Sequence, residues 1–151
     1  MNEIHPTRMI DIGDKSVTSR EAVAEGFISM TSRTVRLVAR SSVPKGNALE
    51  TARVAAILAA KNTPQIVPLC HPLMLSGADC DFECDEENGV IRVEVRVRCE
   101  GKTGVEMEAL TAVSAALLTI YDMTKGVDDT LEIRNIRLLE KRGGKSGNRK
   151  K

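Results

Sequence analysis

Ala78-Asp-Cys-Asp-Phe-Glu-Cys-Asp-Glu-Glu-Asn-Gly-Val-Ile-Arg-Val-Glu-Val-Arg-Val-Arg-Cys99 contains two alternating runs joined by a turn. In the first run Ala78, Cys80, Phe82 and Cys84 alternate with Asp79, Asp81 and Glu83. In the second, Ile91, Val93, Val95, Val97 and Cys99 alternate with Arg92, Glu94, Arg96 and Arg98. A period of two places each set on one face of a strand. Asn88-Gly89 lies between the runs, and such a pair supplies the positive φ values that a tight hairpin needs. The acidic face of one strand meets the largely basic face of the other, which favours this pairing.

Outward on the C-terminal side, Gly101 to Lys125 reads as one long helix. Leu110, Val113, Leu117 and Ile120 form its apolar stripe, and Thr111, Ser114 and Ala115 a face of small residues. Thr103 is the expected N-cap, with Glu106 as its capping-box partner. Polar groups collect at the ends, Glu106 and Glu108 at the start, Asp122 and Lys125 at the finish. Leu131 to Leu139 is a last strand, and its shift of phase between Ile133 and Ile136 predicts a bulge near Asn135.

On the N-terminal side, Arg20 to Met30 reads as a strand, bulged at Gly26. Thr31 or Ser32 caps a short helix ending near Ala39, and Asn47 with Glu50 opens an Ala-rich helix from Ala48 to Lys61. Asn62-Thr-Pro64 stops it, and Gln65 to Pro72 is a stiff connection. The order is α+β and gives the β-α-β-β-α-β ferredoxin-like plait, an antiparallel sheet with helices on one face. The other sheet face carries apolar residues in places, so a second subunit is the expected cover. Residues 1–18 form an N-terminal arm, residues 19–140 the domain, and residues 141–151 a flexible basic tail.

The chain has 151 residues, 42% apolar and 28% charged, which is ordinary for one globular domain. Aromatic residues make up only 2%, so Ala, Val, Ile and Leu must fill the core. RNA-binding sheets of this shape use exposed stacking aromatics, and Phe27, Phe82 and Tyr121 form no such set, which argues against nucleic acid. No apolar run reaches the roughly 20 residues of a membrane helix. With no signal-peptide layout, the cytoplasm is the expected location. Cys70, Cys80, Cys84 and Cys99 lack C-x-x-C spacing and read as structural thiols rather than a metal site. Six Lys/Arg stand against Glu140 in residues 140–151, which points to an anionic partner or a solvated tail.

Pro44-Lys45-Gly46 leads into a helix N-terminus and forms a natural anion cradle, although most such turns only start helices. Leu69-Cys-His71-Pro fixes an imidazole beside a thiol. That ring could donate a hydrogen bond, move a proton, hold a metal or merely tie down a loop. Asp122 and Lys125 could be a surface pair or a proton-transfer couple. Glu108 and Asp122 are 14 residues apart, about 21 Å along a helix axis. Within one helix they cannot serve one small site, so either there are two sites or neighbouring subunits share one.

Lys45-Gly-Asn, Thr51-Ala-Arg53, Leu69-Cys-His-Pro-Leu, Gly101-Lys-Thr-Gly-Val-Glu-Met-Glu-Ala-Leu-Thr-Ala, Ile120-Tyr-Asp-Met and Glu140-Lys-Arg-Gly-Gly-Lys-Ser-Gly closely resemble the cyclic pyranopterin monophosphate synthase (MoaC) family of molybdenum cofactor biosynthesis. The likeness runs from about Met9 to Gly147. It implies a lyase that converts 3′,8-cyclo-7,8-dihydroguanosine 5′-triphosphate to cyclic pyranopterin monophosphate with release of pyrophosphate. It also implies a homohexamer, a trimer of dimers, with sites at subunit interfaces. By position, Asp122, Lys125 and Lys45 match the catalytic residues. Leu69, Cys70, His71, Met107, Glu108 and Glu106 match the substrate pocket, and Arg20, Lys141 and Lys145 the triphosphate and loop-ordering cations. The pattern requires no cofactor and no protein-bound metal, and it allows a divalent cation such as Mg to accompany the triphosphate. Asn47, Thr124 and Arg142 depart from the residues usual in the family. The alternative from another class is a non-catalytic ferredoxin-like oligomer that binds a nucleotide.

Overall fold

The computed structural model describes residues 3–151, so Met1 and Asn2 of the arm lie outside it. In chain order the elements are β1 (Thr18–Ser29), α1 (Ser32–Ala39), α2 (Ala48–Lys61), α3 (Thr63–Ile66), β2 (Leu75–Asp85), β3 (Val90–Gly101), α4 (Glu106–Thr124), β4 (Glu132–Arg142) and β5 (Arg149–Lys150). All pairings are antiparallel, and the strand order is β2-β3-β1-β4-β5. The first four strands are arranged as the ferredoxin-like plait requires, with the first and third in the middle. The hairpin forms as expected: Cys84 pairs with Ile91, Asp85 with Val90, and Gly89 takes φ 66° in the turn.

Alternation sorts the side chains of the two central strands. Ala22, Ala24 and Ile28 of β1 and Ile91, Val93, Val95, Val97 and Cys99 of β3 are buried with α4's Val113, Leu117 and Ile120. Ala48, Ala52, Ala56 and Ala60 recur every fourth residue of α2 and are all buried. Their small side chains let α2 lie close along α4. Asn47 caps α2 as predicted, its side chain accepting from the Glu50 N–H, and Thr31 caps α1 by accepting from Thr34.

The opposite sheet face is largely ionic. Glu25, almost fully buried, is held by Arg92 at 2.6 Å and Arg137 at 2.8 Å. Arg92 also pairs with Glu83 and Glu94, Arg96 with Glu21, and Arg98 with Asp79. Burial pushes the Glu25 carboxyl up, but the two guanidinium groups outweigh it and hold it below its usual range. Val23 and the partly buried Phe27 are the apolar exceptions along β1.

Asn135 and Ile136 together face Gly26 where the β1–β4 register shifts, and Asn135 has φ 55°. The predicted bulge is therefore present, and the extra residue lies in β4 rather than at Gly26. Gly26 has a packing role instead. A Cβ there would stand 2.7 Å from Leu117 Cδ1 and 2.9 Å from Val113 Cγ1. We expect Gly26→Ala to lower unfolding stability by about 1–3 kcal/mol through overpacking of α4 against β1. A denaturant midpoint equal to wild type would contradict this.

Two local expectations change. The long helix begins at Glu106 with Val105 at the cap position, and no side chain caps it, so Thr103 and Glu106 do not form a capping box. Burial of Val105 anchors the helix start, and the Glu106 carboxylate is drawn to Lys141 at 2.5 Å. A charge-assisted contact of that kind outcompetes a neutral N–H donor. At the C-terminus β4 continues through Arg142, and Arg149–Lys150 folds back to pair with Glu140–Lys141. Repeated basic residues carry no signal for such a return, which depends on the turn at Gly143–Asn148. There the Gly143 N–H donates to Asn148 Oδ1.

Candidate active site

α4 carries two groups of polar side chains, one at each end. At its C-terminal end Lys125 occupies the cap position, its N–H donating to the Tyr121 carbonyl. Its ammonium lies 2.8 Å from Asp122 Oδ1. Lys45 comes from the loop before α2, where Gly46 N–H donates to Val43 O in a tight turn. Its Nζ donates to Asp122 Oδ2 at 2.9 Å and to the Asp122 carbonyl at 3.0 Å. Lys45 thus sits on the negative end of the α4 dipole rather than on the start of α2, where the sequence motif suggested an anion cradle.

Hydrogen bonds from Lys125 and Lys45, reinforced by their charges, hold Asp122 at about 2. The same contact raises Lys125 above its ordinary value. One carboxylate between two ammonium groups leaves a net positive, half-exposed cluster suited to meeting an anion.

The N-terminal end of α4 borders a cavity of about 320 Å³ lined by Ile10, Ile12, Lys15, Leu69, Cys70, His71, Thr103, Gly104, Glu106, Met107 and Glu108. All six residues expected in the substrate pocket are therefore in one place. Glu108 is only 3% exposed. Burial, with the nearby Glu106 charge, pushes its carboxyl up, so it holds a proton more readily than Asp122 does. Burial also raises the Cys70 thiol, and Glu108 adds to the effect. The shift disfavours the thiolate form that a nucleophilic Cys70 would need. His71 Nε2 is 2.7 Å from the Ile10 carbonyl.

A second cavity, about 270 Å³, adjoins the first and is lined by Lys15, Ser16, Thr18, Arg20, Gly144 and Lys145. Arg20, 5% exposed, spends two donors on the carbonyls of Gly101 at 3.3 Å and Lys102 at 3.2 Å. It therefore sets the turn entering α4 as well as lining this cavity. Lys141 pairs with Glu106, so the predicted cations Arg20, Lys141 and Lys145 all gather around the helix start. Among the described residues no three His, Cys, Asp or Glu side chains are grouped as a metal ion would need.

The sequence reading did not include Ile10, Ile12, Lys15, Thr103 and Gly104 in the site. The arm lacks periodicity, so nothing local marks it as a wall of a cavity. Thr103 and Gly104 stood within a quoted motif but had been explained as helix entry. Within one chain the two clusters remain at opposite ends of α4, as the 14-residue spacing required.

The MoaC family model matches residues 9–144. A cyclic pyranopterin monophosphate synthase of Chloroflexus aurantiacus is 56% identical over 140 residues, covering 93% of this chain and 86% of that protein. The enzyme of the same name from Pelotomaculum thermopropionicum is 52% identical over 147 residues, with 97% and 86% covered. That of Parvibaculum lavamentivorans is 49% identical over 150 residues, with 99% and 94% covered. With its fold, both ends of its long helix and nearly its whole length accounted for in this way, the chain belongs to the MoaC family.

Proposed function

We propose that the chain is a cyclic pyranopterin monophosphate synthase of molybdenum cofactor biosynthesis. It converts 3′,8-cyclo-7,8-dihydroguanosine 5′-triphosphate to cyclic pyranopterin monophosphate and pyrophosphate, which makes it a lyase. The observation that carries this reading is the division of side chains along α4. Cavities suited to a heterocycle and a phosphate chain lie at its start, and the Lys45–Asp122–Lys125 cluster at its end.

The chemistry has two parts. Rearrangement of the ring system needs protons taken up and given back, and Asp122 with its two lysines is the acid–base group. While both lysines grip it, Asp122 is a poor base. A phosphate oxygen that draws one ammonium away raises its basicity at the moment substrate arrives. In the second part a sugar hydroxyl attacks the α-phosphorus. A new P–O bond forms, the bond to the pyrophosphate oxygen breaks, and the hydroxyl proton passes to a base. Such a transfer depends on in-line positioning and charge stabilisation, which ammonium and guanidinium groups supply.

The distance between the two clusters supports an interface site. One chain contributes the helix start and a second copy the helix end, within a homohexamer built as a trimer of dimers. The four unpaired thiols suit a reducing, cytoplasmic setting. A divalent cation such as Mg, where one takes part, would arrive with the triphosphate.

Purified protein incubated with the cyclised triphosphate is expected to release one pyrophosphate per pterin product formed. Tight binding of that compound without pyrophosphate release would favour the non-catalytic nucleotide-binding oligomer instead.

A further inference from the structure

Asp128 follows α4 by four residues and is only 7% exposed, whereas its neighbour Asp129 faces solvent. Its carboxylate joins segments that are far apart in the chain. Oδ2 accepts from the Thr31 N–H at 2.9 Å. Oδ1 accepts from the Thr130 N–H at 2.8 Å and from Thr130 Oγ1 at 2.6 Å. Thr31 is the N-cap of α1, and Thr130 leads into β4. Asp128 thus fastens the turn after α4 to the start of one helix and the approach to a strand. Burial pushes its carboxyl up. Hydrogen bonds from the Thr130 and Thr34 side chains and from the Thr31 and Thr130 N–H groups outweigh burial and hold it well below its ordinary range. A buried carboxylate surrounded by donors is a fixed anchor.

The anchor stands three residues from Lys125. The Lys125 N–H donates to the Tyr121 carbonyl at 2.9 Å, which completes the last turn of α4. Beyond it the chain folds back, and the N–H groups of Val127 and Asp128 both donate to Thr124 O, at 2.9 and 3.1 Å. No packing fixes the turn at Gly126, where a Cβ would meet no atom within 4 Å. The Lys125 side chain is 58% exposed, and Asp122 is its ion-pair partner. Its backbone is therefore directed from two sides, by the end of α4 and by Asp128. Lys45 reaches Asp122 independently, from a turn closed by its own Gly46–Val43 hydrogen bond. Lys125 and Asp128 also line one open cavity of about 490 Å³.

We propose that Asp128 is a positioning residue that holds Lys125 against Asp122 by fixing the turn that carries it. It acts through the backbone of residues 125–128 and not by contact with substrate. The catalytic consequence rests on the proposed function. The placing of Lys125 does not.

The test uses the full chain as wild type, Asp128→Asn and Asp128→Ala. The amide keeps the volume but offers one acceptor oxygen instead of two, and alanine removes both. Reductive methylation of Lys125 by formaldehyde and cyanoborohydride is followed by peptide mass spectrometry, with exposed Lys61 as the internal reference. Contact with Asp122 raises Lys125 above its ordinary value and keeps it protonated and slow to react. Release from Asp122 should speed its methylation relative to Lys61 by about threefold in Asp128→Asn and more in Asp128→Ala. General loosening of the fold would not favour Lys125 over Lys61. In turnover of the cyclised triphosphate, kcat should fall about tenfold in Asp128→Ala and less in Asp128→Asn, with KM within about twofold of wild type. Placed on Lys125→Ala, Asp128→Ala should cost almost nothing more, because the group it positions is already gone. Unchanged relative reactivity of Lys125 overturns the proposal. So does a loss of kcat that adds in full on the Lys125→Ala background. If Asp128→Ala does not fold, Asp128→Asn decides by the same readings. Raised Lys125 reactivity in a protein that never turns over the nucleotide supports this assignment and counts against the synthase reading.

Discussion

Asp122→Asn is expected to reduce turnover by about 10²–10⁴-fold, the range spanned by positioned acid–base groups. The chain should stay folded, because the Asp122 side chain is 55% exposed and supports no buried contact. The substitution removes the negative charge that both Lys45 and Lys125 face, and an amide cannot accept a proton from a sugar hydroxyl or the ring. Lys125→Ala should give a loss of similar order. The acid limb of turnover separates this from a general electrostatic effect. Asp122 is held at about 2, so it remains ionised as pH falls through the ordinary carboxylate range near 4. Its lowered value means that in the free enzyme its charged form is lost only when pH reaches the depressed value, so a fall in kcat/KM near pH 4 arises from another group, whereas kcat reports the complex in which substrate has drawn a lysine away. Near-wild-type turnover in both variants would remove Asp122 and Lys125 from the mechanism. Unfolding of both would show the cluster to be structural.

Mixing two inactive variants is expected to restore activity. One carries Asp122→Asn at the helix end, and the other Glu108→Gln at the helix start. If each site combines the start of one α4 with the end of another, a heterodimer of the variants contains one intact site and one doubly damaged site. After subunit exchange at equal concentrations, half of the dimers are mixed, and about a quarter of wild-type activity should return. The argument rests on length: 14 residues of α-helix span about 21 Å, and a rigid helix cannot bring its ends together. If both halves served within one chain, every chain in the mixture would carry a dead site, and no exchange would help. An unchanged baseline after verified exchange therefore refutes the shared site while leaving the single-variant results intact.

The two experiments address different levels of the protein. Asp122→Asn asks what a local cluster does, whereas the mixture asks where the rest of its site comes from. In one chain the Lys45–Asp122–Lys125 cluster at the end of α4 borders an open cavity of about 490 Å³ lined mainly by the polar residues Thr31, Arg33, Lys125, Asp128 and Asp129, with Gly126 and Val127, unlike the cavity at the start with its apolar walls of Ile10, Ile12, Leu69 and Met107. The cavity at the start has Glu108, pushed up by burial, and Glu106, which a single lysine, Lys141, holds instead of two. The two ends differ in a complementary way, and the mixing experiment asks whether a second copy completes the proposed site.

Much of the architecture was legible in residue order because strong local patterns agreed with the tertiary result. Alternation around Asn88-Gly89 specified the hairpin and which side chains of β3 are buried. The Ala48–Lys61 helix and its Asn47 cap follow from short-range hydrogen bonding, and the phase slip at Asn135 from the period of the strand. The family motifs identified the residues that gather at either end of α4, and the 14-residue spacing dictated that those ends stay apart. Other features depended on groups distant in the chain. Glu106 lost its capping role because Lys141 competes for its carboxylate, and Lys45 turned from a helix N-terminus to Asp122, 77 residues away. The arm became a wall of the cavity only because His71 and Lys102 hold its carbonyls. Periodicity records which face of an element meets water. It carries no record of which long, charged side chain reaches across to another element, and that choice is made only when the packed sheet and helices bring the partners within hydrogen-bond distance.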